Sequence, residues 1–245
     1  MSPSSEKIIL ALDVDSFEAA EAMVKKLRGV IGIYKVGKQL FTRCGPRVIE
    51  MIHAHRGRAF LDLKFHDIPN TVGRAVEDAC KHGVFMLTLH ALGGKKMIAQ
   101  AVTVAATFSR DTSSPPPLIL AVTVLTSMAQ EDLQEVGIDG PVESAVSRLA
   151  TLAKQAGAGG VVASAREAPL IRAACGETFV IVTPGIRPRG AAAGDQKRTV
   201  TPAEALAAGA DYLVIGRPIL EAADPVRAAR EIAAEVAEAE IEIKK

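Results

Sequence analysis

The chain has 245 residues, of which 49% are hydrophobic and 23% charged, and its formal net charge is +1 at neutral pH. This balance gives no reason to expect binding to nucleic acid or to an anionic membrane, so any anion site must be local. Three cysteines, far apart and in no CxxC pair, indicate neither a disulfide framework nor a thiolate metal cluster. The sequence contains no recognisable targeting segment and no run of 18 apolar residues, so we expect a soluble, cytoplasmic protein.

Short aliphatic runs recur along the chain, and they are separated by helical stretches. Eight runs have the composition of strands: residues 7–13, 32–37, 59–64, 84–91, 118–126, 159–164, 179–185 and 211–216. The segments between them carry apolar residues at three- and four-residue spacing and end near glycine, as helices do. Strands that alternate with helices pair in parallel, and eight such units close into a barrel. We therefore predict an α/β fold with one (β/α)8 TIM-barrel domain over residues 1–245, in which residues 1–6 form a flexible tail.

Local signals predict where two of the helices begin. In "TPAEALAAGA", Thr201 is the expected N-cap, Pro202 occupies the first helical position, and Glu204 completes a capping box. Asp15, followed three residues later by Glu18, predicts the same arrangement at the start of the first helix. Both positions lie directly before amphipathic segments, which supports the predicted alternation of strands and helices.

Polar residues gather at the predicted C-terminal ends of the strands, whereas the strand beginnings and middles are aliphatic. In a parallel eight-stranded barrel, the loops at these ends build the active site. The residues in question are Asp13, Lys35, Asp62, Lys64, His90, Thr126, Ser127, Ser164, Pro184, Arg187, Gly216 and Arg217. For His90 a hydrogen-bonded structural role is expected. The one-sided distribution of the others predicts a pocket at one mouth of the barrel.

The stretch "FLDLKFHDIPNT", residues 60–71, directs opposite charges into this mouth. Side chains alternate along a strand, so Asp62 and Lys64 point the same way, and we expect Lys35 and Asp67 close to them. An unpaired buried charge destabilises the fold by several kcal/mol, but charges of alternating sign stabilise one another. One Asp-x-Lys pair is equally consistent with a structural ion-pair layer. Four charges beside an anion site favour a catalytic array.

An anion site is predicted in "VIGRPIL", residues 214–220. Gly216 lets a backbone N–H approach a ligand, Arg217 offers a fork of donors, and Pro218 suits the first turn of a helix whose N-terminus attracts anions. The long loop after the seventh strand adds further donors, namely Arg187, Gln196, Lys197 and Arg198. Such a loop can close over an anionic ligand. The alternatives are a helix cap with a solvated arginine and a mobile surface loop.

The ordered set of motifs resembles the bacterial type of the orotidine 5′-phosphate decarboxylase family over nearly the whole chain. The motifs are "ALDVD" near the start, "KVG" at 35–37, "DLKFHDIPNT" with its D-x-K-x-x-D pattern, "HALGG" at 90–94, "VTVLTSM" at 122–128, "VTPGIRP" at 182–188, "GDQKR" at 194–198 and "VIGRP" at 214–218. The D-x-K-x-x-D pattern alone is shared with relatives that decarboxylate sugar-acid phosphates. The complete set is specific to the family.

This resemblance implies the decarboxylation of orotidine 5′-monophosphate to uridine 5′-monophosphate, the last step of de novo pyrimidine nucleotide synthesis, with no metal and no organic cofactor. It implies that Lys64 donates a proton to the carbon that loses carbon dioxide, that Asp62 lies against the departing carboxylate, and that Lys35 and Asp67 complete the charged array. It also implies a homodimer with active sites shared across the interface, in which Asp67 and Thr71 contribute to the site of the partner subunit. The implied substrate-binding residues are Asp13, Lys35, Asp67, Ile68, Thr71, Thr126, Ser127, Pro184, Arg187, Gln196, Gly216 and Arg217.

Three alternatives remain beside this interpretation. The related magnesium-dependent sugar-acid phosphate decarboxylases carry an acidic residue where this chain has Lys35, and a lysine opposes metal binding. A non-catalytic barrel that binds a phosphorylated ligand would have no need of Asp62 and Lys64 together. A Schiff-base aldolase also uses a barrel lysine, but flanking carboxylates favour the charged ammonium over the neutral amine that this chemistry requires.

Overall fold

The computed structural model describes residues 3–188 and 200–243. Eight parallel strands form a closed barrel in which each strand pairs with the next and β8 pairs with β1. The strands are β1 (Ile8–Ala11), β2 (Ile33–Gly37), β3 (Arg58–Phe65), β4 (Met86–His90), β5 (Leu118–Val122), β6 (Gly160–Val162), β7 (Val180–Thr183) and β8 (Tyr212–Ile215). The (β/α)8 prediction is confirmed. Most observed strands are shorter than predicted at both ends, because their terminal residues belong to the loops that precede and follow each strand.

Helices surround the barrel and connect its strands. They are α1 (Phe17–Leu27), α2 (Lys38–Cys44), α3 (Arg47–Ala54), α4 (Pro69–Lys81), α5 (Gly94–Thr112), α6 (Gln130–Glu135), α7 (Val142–Gln155), α8 (Ala168–Cys175), α9 (Pro202–Ala207), α10 (Arg217–Leu220) and α11 (Pro225–Ile243). Neighbouring helices pack on one another, as α4 does on α5 and α9 on α11. Within the described ranges, no helix is both long enough and apolar enough to cross a membrane.

Two apolar layers hold the barrel together. The interior is filled by small and aliphatic side chains with one phenylalanine: Ile9, Ala11, Ile33, Phe60, Met86, Leu120, Val182 and Val214. The opposite faces of the strands pack against the helices through side chains such as Leu10, Tyr34 and Leu87. Burying each large aliphatic side chain stabilises the fold by roughly 1.5–3 kcal/mol. The polar side chains of the strands lie beyond this apolar interior, at the C-terminal mouth of the barrel.

The two predicted helix starts have different outcomes. At α9 the capping box is confirmed: the Thr201 Oγ1 accepts from the Glu204 N–H at 3.2 Å, and the Glu204 carboxylate accepts from the Thr201 N–H at 2.7 Å. At α1 the N-cap is Ser16, whose Oγ accepts from the Ala19 N–H at 3.1 Å. Asp15, the predicted cap, lies one residue too early, and its carboxylate instead accepts from the Gln39 amide at 2.7 Å.

The sequence predicts a flexible tail over residues 1–6, of which the structure describes residues 3–6. Residues Pro3–Lys7 form a 3-10 helix that contacts α11. Ser5 is buried, and the Lys7 ammonium lies 3.1 Å from the Glu240 carboxylate on α11. Packing against the last helix supplies the contacts that an isolated terminus lacks.

Candidate active site

A cavity of about 300 Å³ opens at the C-terminal mouth of the barrel. Its lining contains most of the residues that the sequence predicts for the site: Asp13, Lys35, Asp62, Lys64, Thr126, Ser127, Pro184, Arg187, Gly216 and Arg217. These side chains come from segments far apart in the sequence. They meet because the strands are parallel, so that all their C-terminal ends lie at the same mouth.

Four side chains of alternating charge form a chain across this cavity. The Lys64 ammonium donates a hydrogen bond to the Asp62 Oδ1 at 2.8 Å, and the Lys35 ammonium lies 3.5 Å from the Asp62 Oδ2. Lys35 also lies 3.4 Å from the Asp13 Oδ1. The side chains of Lys35 and Asp62 are each 12% exposed, so this pair is largely removed from water. Each charge therefore has a neighbour of opposite sign, which lowers the cost of burying it.

The carboxylate at the outer end of this chain is that of Asp13. The sequence prediction adds Asp67 to Lys35, Asp62 and Lys64, and the family resemblance assigns Asp67 to the site of the partner subunit. Asp67 is exposed beyond the end of β3, and its carboxylate accepts from the Ile68 N–H at 2.6 Å. The turn between β3 and α4 directs Asp67 away from the cavity of its own chain.

The two ammonium groups determine the ionisation of Asp62. Burial by itself raises the pKa of this carboxyl, because a charge is less stable away from water. The charges of Lys35 and Lys64, together with hydrogen bonds from Lys64 and Thr88, outweigh that effect and hold the pKa of Asp62 below its usual value. Asp62 is consequently a stable anion at neutral pH, fixed between two cations.

Lys64 occupies an unusual backbone conformation for its residue type. Its φ is +53°, in the left-handed region, and the register between β3 and β4 shifts between Leu61 and Phe65. A residue with a Cβ pays roughly 1–2 kcal/mol for this conformation, and such strain is concentrated at functional sites. The irregularity changes the direction of the side chain, and its ammonium lies within hydrogen-bond distance of the Asp62 carboxylate. Simple strand alternation predicts that the two side chains are neighbours, but not this distortion.

Thr88 is a contact of the array that the sequence prediction missed. Its hydroxyl donates to the Asp62 Oδ1 at 2.9 Å and accepts from the Lys64 N–H at 2.9 Å. The side chain is fully buried on β4, two residues beyond Met86, which fills the barrel interior. The alternation of side chains from Met86 would have placed Thr88 in the interior, directly beside Asp62 on the next strand.

The opposite side of the cavity carries two arginines. Arg187 is only 8% exposed, its backbone N–H donates to the Val200 carbonyl at 2.9 Å, and Ile186 pairs with Val200 as an isolated bridge. Arg217 follows Gly216 at the start of α10. The helix expected there has only four residues, so its dipole is weak. The capacity of this side to bind an anion therefore rests on the guanidinium groups and the adjacent backbone.

Several predicted residues lie elsewhere. Asp67, Ile68 and Thr71 are exposed around the start of α4, and Ile68 is 65% exposed. Gln196, with Lys197 and Arg198, lies outside the described residues. His90 is half-buried, its ring stacks on that of His66 at 5.4 Å, and its Nδ1 accepts from the Leu92 N–H at 3.4 Å. Burial lowers the pKa of His90, and the nearby His66, Lys64 and Lys38 lower it further.

The sequence prediction did not include the apolar wall of the cavity. It consists of Ala11, Phe60, Val122, Val124, Leu125, Val162 and Val214. Val122 and Val162 are the last residues of β5 and β6, and period-two alternation could have identified them. A pocket lined by both charged and aliphatic side chains can hold a flat, partly polar ligand.

Comparison with known proteins gives one consistent family. Residues 6–232 match the model of the orotidine 5′-phosphate decarboxylase / HUMPS family. An orotidine 5′-phosphate decarboxylase from Syntrophotalea carbinolica is 57% identical over 234 residues, covering 96% of each chain. One from Geobacter sulfurreducens is 54% identical over 231 residues, covering 94% of this chain and 96% of its own.

A solved structure agrees with these sequence matches. The crystal structure of orotidine 5′-phosphate decarboxylase from Lactobacillus acidophilus has a TM-score of 0.84 and 36% sequence identity, covering 94% of this chain and 99% of its own. The fold, the sequence and the order of the motifs thus agree over almost the whole length. The chain belongs to the orotidine 5′-phosphate decarboxylase / HUMPS family.

Proposed function

We propose that the charged mouth of this barrel removes carbon dioxide from orotidine 5′-monophosphate, with Lys64 as the proton donor. The overall reaction is the one that the relatives at 51–57% identity are named for, and it makes the chain a carboxy-lyase of pyrimidine nucleotide synthesis. The observation that carries the proposed roles is the Lys64–Asp62 hydrogen bond of 2.8 Å, located in the same cavity as two arginines.

The chemistry requires a cation at the carbon that loses its carboxylate. When the bond to carbon dioxide breaks, its electron pair remains on the pyrimidine ring. The Lys64 ammonium, already fixed by Asp62, stabilises that charge as it develops and then transfers a proton to the carbon, which leaves a neutral amine and uridine 5′-monophosphate. Water restores the proton to Lys64 after the product leaves. The donor needs no reorganisation in the transition state, because its partners are present beforehand.

Asp62 acts on the substrate carboxylate. Placing that carboxylate against the ionised Asp62 is unfavourable in the bound substrate, and the repulsion disappears when neutral carbon dioxide leaves. Contacts at the far end of the nucleotide supply the compensating binding energy. Arg187 and Arg217, with the Gly216 backbone and Pro184, are the proposed phosphate contacts, and Gln196 is assigned to the same role by the family motif.

The remaining contacts are assigned to the ring and the ribose. Thr126 and Ser127 line the cavity beside the apolar wall, which suits the polar edge of a pyrimidine. Asp13 and Lys35, at the outer end of the charged chain, are assigned to the ribose hydroxyls. Since Asp13 is the more exposed of the two, with 61% of its side chain accessible, it can meet a ligand that enters from solvent.

We further propose a homodimer in which each chain contributes to its partner's site. Asp67, Ile68 and Thr71 share an exposed surface beside the mouth, and Ile68 and Leu92 expose 65% and 47% of their area. An isologous dimer formed through this surface would carry Asp67 toward the partner's Lys64. Its carboxylate would extend the alternating array by one charge. A cytoplasmic location is proposed from the biosynthetic role.

The test is turnover of orotidine 5′-monophosphate in excess chelator, followed by the change in ultraviolet absorbance. Decarboxylation under these conditions is expected, because the ammonium groups of Lys35 and Lys64 already balance the charges of Asp13 and Asp62, which a divalent cation would otherwise bind. Turnover that appears only after magnesium is added would favour the sugar-acid phosphate type. Absence of turnover in both conditions, with the nucleotide still bound, would identify a non-catalytic barrel.

A further inference from the structure

The Thr88 hydroxyl connects the backbone of one charged residue to the side chain of another. Its single hydrogen goes to the Asp62 Oδ1 at 2.9 Å, and its lone pair accepts the Lys64 N–H at 2.9 Å. The Lys64 ammonium donates to the same Asp62 oxygen at 2.8 Å. Together these bonds form a closed ring: Lys64 backbone, Thr88 hydroxyl, Asp62 carboxylate, Lys64 side chain.

The ring lies where the hydrogen-bond ladder between β3 and β4 is interrupted, so the ladder provides no acceptor for the Lys64 N–H. The ladder between β3 and β4 is interrupted between Leu61 and Phe65, and Lys64 has a φ of +53°. A backbone N–H without a strand partner is costly when it is shielded from water, so it needs another acceptor. Thr88 supplies this acceptor from the adjacent strand. Without it, the extended conformation would be the lower-energy state for a lysine at this position.

We propose that Thr88 is a positioning residue that holds Lys64 in its left-handed conformation and orients the Asp62 carboxylate toward the substrate. This inference rests on the proposed roles of the two charged residues. Thr88 does not line the cavity, and it acts only through its two partners. Both hydrogen-bonding capacities of a hydroxyl are in use, so serine can replace threonine, whereas valine, which has the same shape, provides neither.

The test compares Thr88→Val with Thr88→Ser and with the control Thr123→Val. Thr123 is also a fully buried threonine on the barrel, but its hydroxyl donates to the Val162 carbonyl at 3.4 Å and does not touch the charged array. All four proteins, including the wild type, are checked for folding by circular dichroism. For each, kcat and KM for orotidine 5′-monophosphate and the affinity for uridine 5′-monophosphate are measured across pH.

For Thr88→Val we expect kcat to fall by about 10- to 100-fold, because a catalytic group displaced by about 1 Å loses rate on this scale. Product affinity should stay within about threefold, since the phosphate and ring contacts remain. Burial raises the pKa of Asp62, while Lys35, Lys64 and the Thr88 bond lower it. Loss of that bond should therefore move the acid limb of the kcat profile to higher pH. Thr88→Ser should have the kcat and the pH profile of the wild type. Thr123→Val should also match the wild type in both.

Each result separates this inference from the proposed function. A wild-type protein that does not decarboxylate the nucleotide contradicts the function itself. An active wild type together with a Thr88→Val variant of unchanged kcat and pH profile contradicts the positioning role alone. A loss of rate in Thr123→Val as large as that in Thr88→Val would also contradict it. If Thr88→Val does not fold, Thr88→Cys, whose thiol forms only weak hydrogen bonds, is judged by the same criteria.

Discussion

Replacing Lys64 by alanine is the most direct test of the charged array. The substitution removes the proposed proton donor, whose ammonium is also the proposed cation beside the reacting carbon. A positioned general acid contributes about 10²- to 10⁴-fold, and a preorganised electrostatic group about 10²- to 10³-fold. Together they predict a loss in kcat of about 10⁴-fold or more, which corresponds to roughly 5.4 kcal/mol in the activation free energy.

The effect of the same substitution on folding should be much smaller. Breaking a buried ion pair can cost about 3–5 kcal/mol when the remaining charge is left without a partner. Here Asp62 keeps the Lys35 ammonium at 3.5 Å and the Thr88 hydroxyl at 2.9 Å. Alanine also bears the same backbone strain as lysine at a φ of +53°. We therefore expect a loss of about 1–2 kcal/mol, which a domain with a stability of about 5–15 kcal/mol tolerates.

The assay combines turnover of orotidine 5′-monophosphate with urea unfolding of the same preparations. The control is Lys25→Ala on α1, which removes an exposed lysine whose ammonium lies 3.0 Å from Glu21. Its turnover should equal that of the wild type, and its stability should change by less than about 1 kcal/mol. Near-normal turnover in a folded Lys64→Ala protein would refute the assignment of Lys64 as proton donor.

Three further predictions concern other parts of the site. Arg217→Ala should weaken the binding of phosphorylated ligands by about 10- to 100-fold in equilibrium titrations. An equal loss of affinity for the phosphate-free nucleoside would argue against a role of Arg217 in phosphate binding. Mixing inactive Asp67→Asn and Lys64→Ala chains should restore about a quarter of wild-type activity, because half of the proposed dimers would be hybrids with one intact site. No recovery of activity after verified subunit exchange would contradict the shared-site proposal. The pKa of Asp62 is lower in the folded protein, so its ionised form contributes stability that is lost as pH falls through that pKa. Asp62→Asn should accordingly be less stable than the wild type near pH 7 in denaturant unfolding, and the difference in the free energy of unfolding should shrink below about pH 4. A difference that stays constant with pH would contradict the lowered pKa of Asp62.

The sequence was sufficient for the architecture, because the relevant signals are local. Aliphatic runs alternating with amphipathic segments require parallel strands joined by helices, and eight such units have one common closed arrangement. Strand polarity then predicts that Lys35, Asp62, Lys64, Arg187 and Arg217 share one mouth, and all of them line the same cavity. None of these conclusions depends on the exact register of the barrel.

The details of the array depend on contacts between strands that no local pattern encodes. The interrupted ladder between β3 and β4 gives Lys64 its left-handed backbone and brings Thr88 against Asp62. Asp67 lies outside the cavity of its own chain, whereas Asp13 lies beside Lys35. The sequence by itself determined which residues reach the mouth, because side-chain periodicity is a property of each strand. Only the tertiary structure decided which of them are bonded to one another, because those bonds depend on the register and closure of the whole barrel.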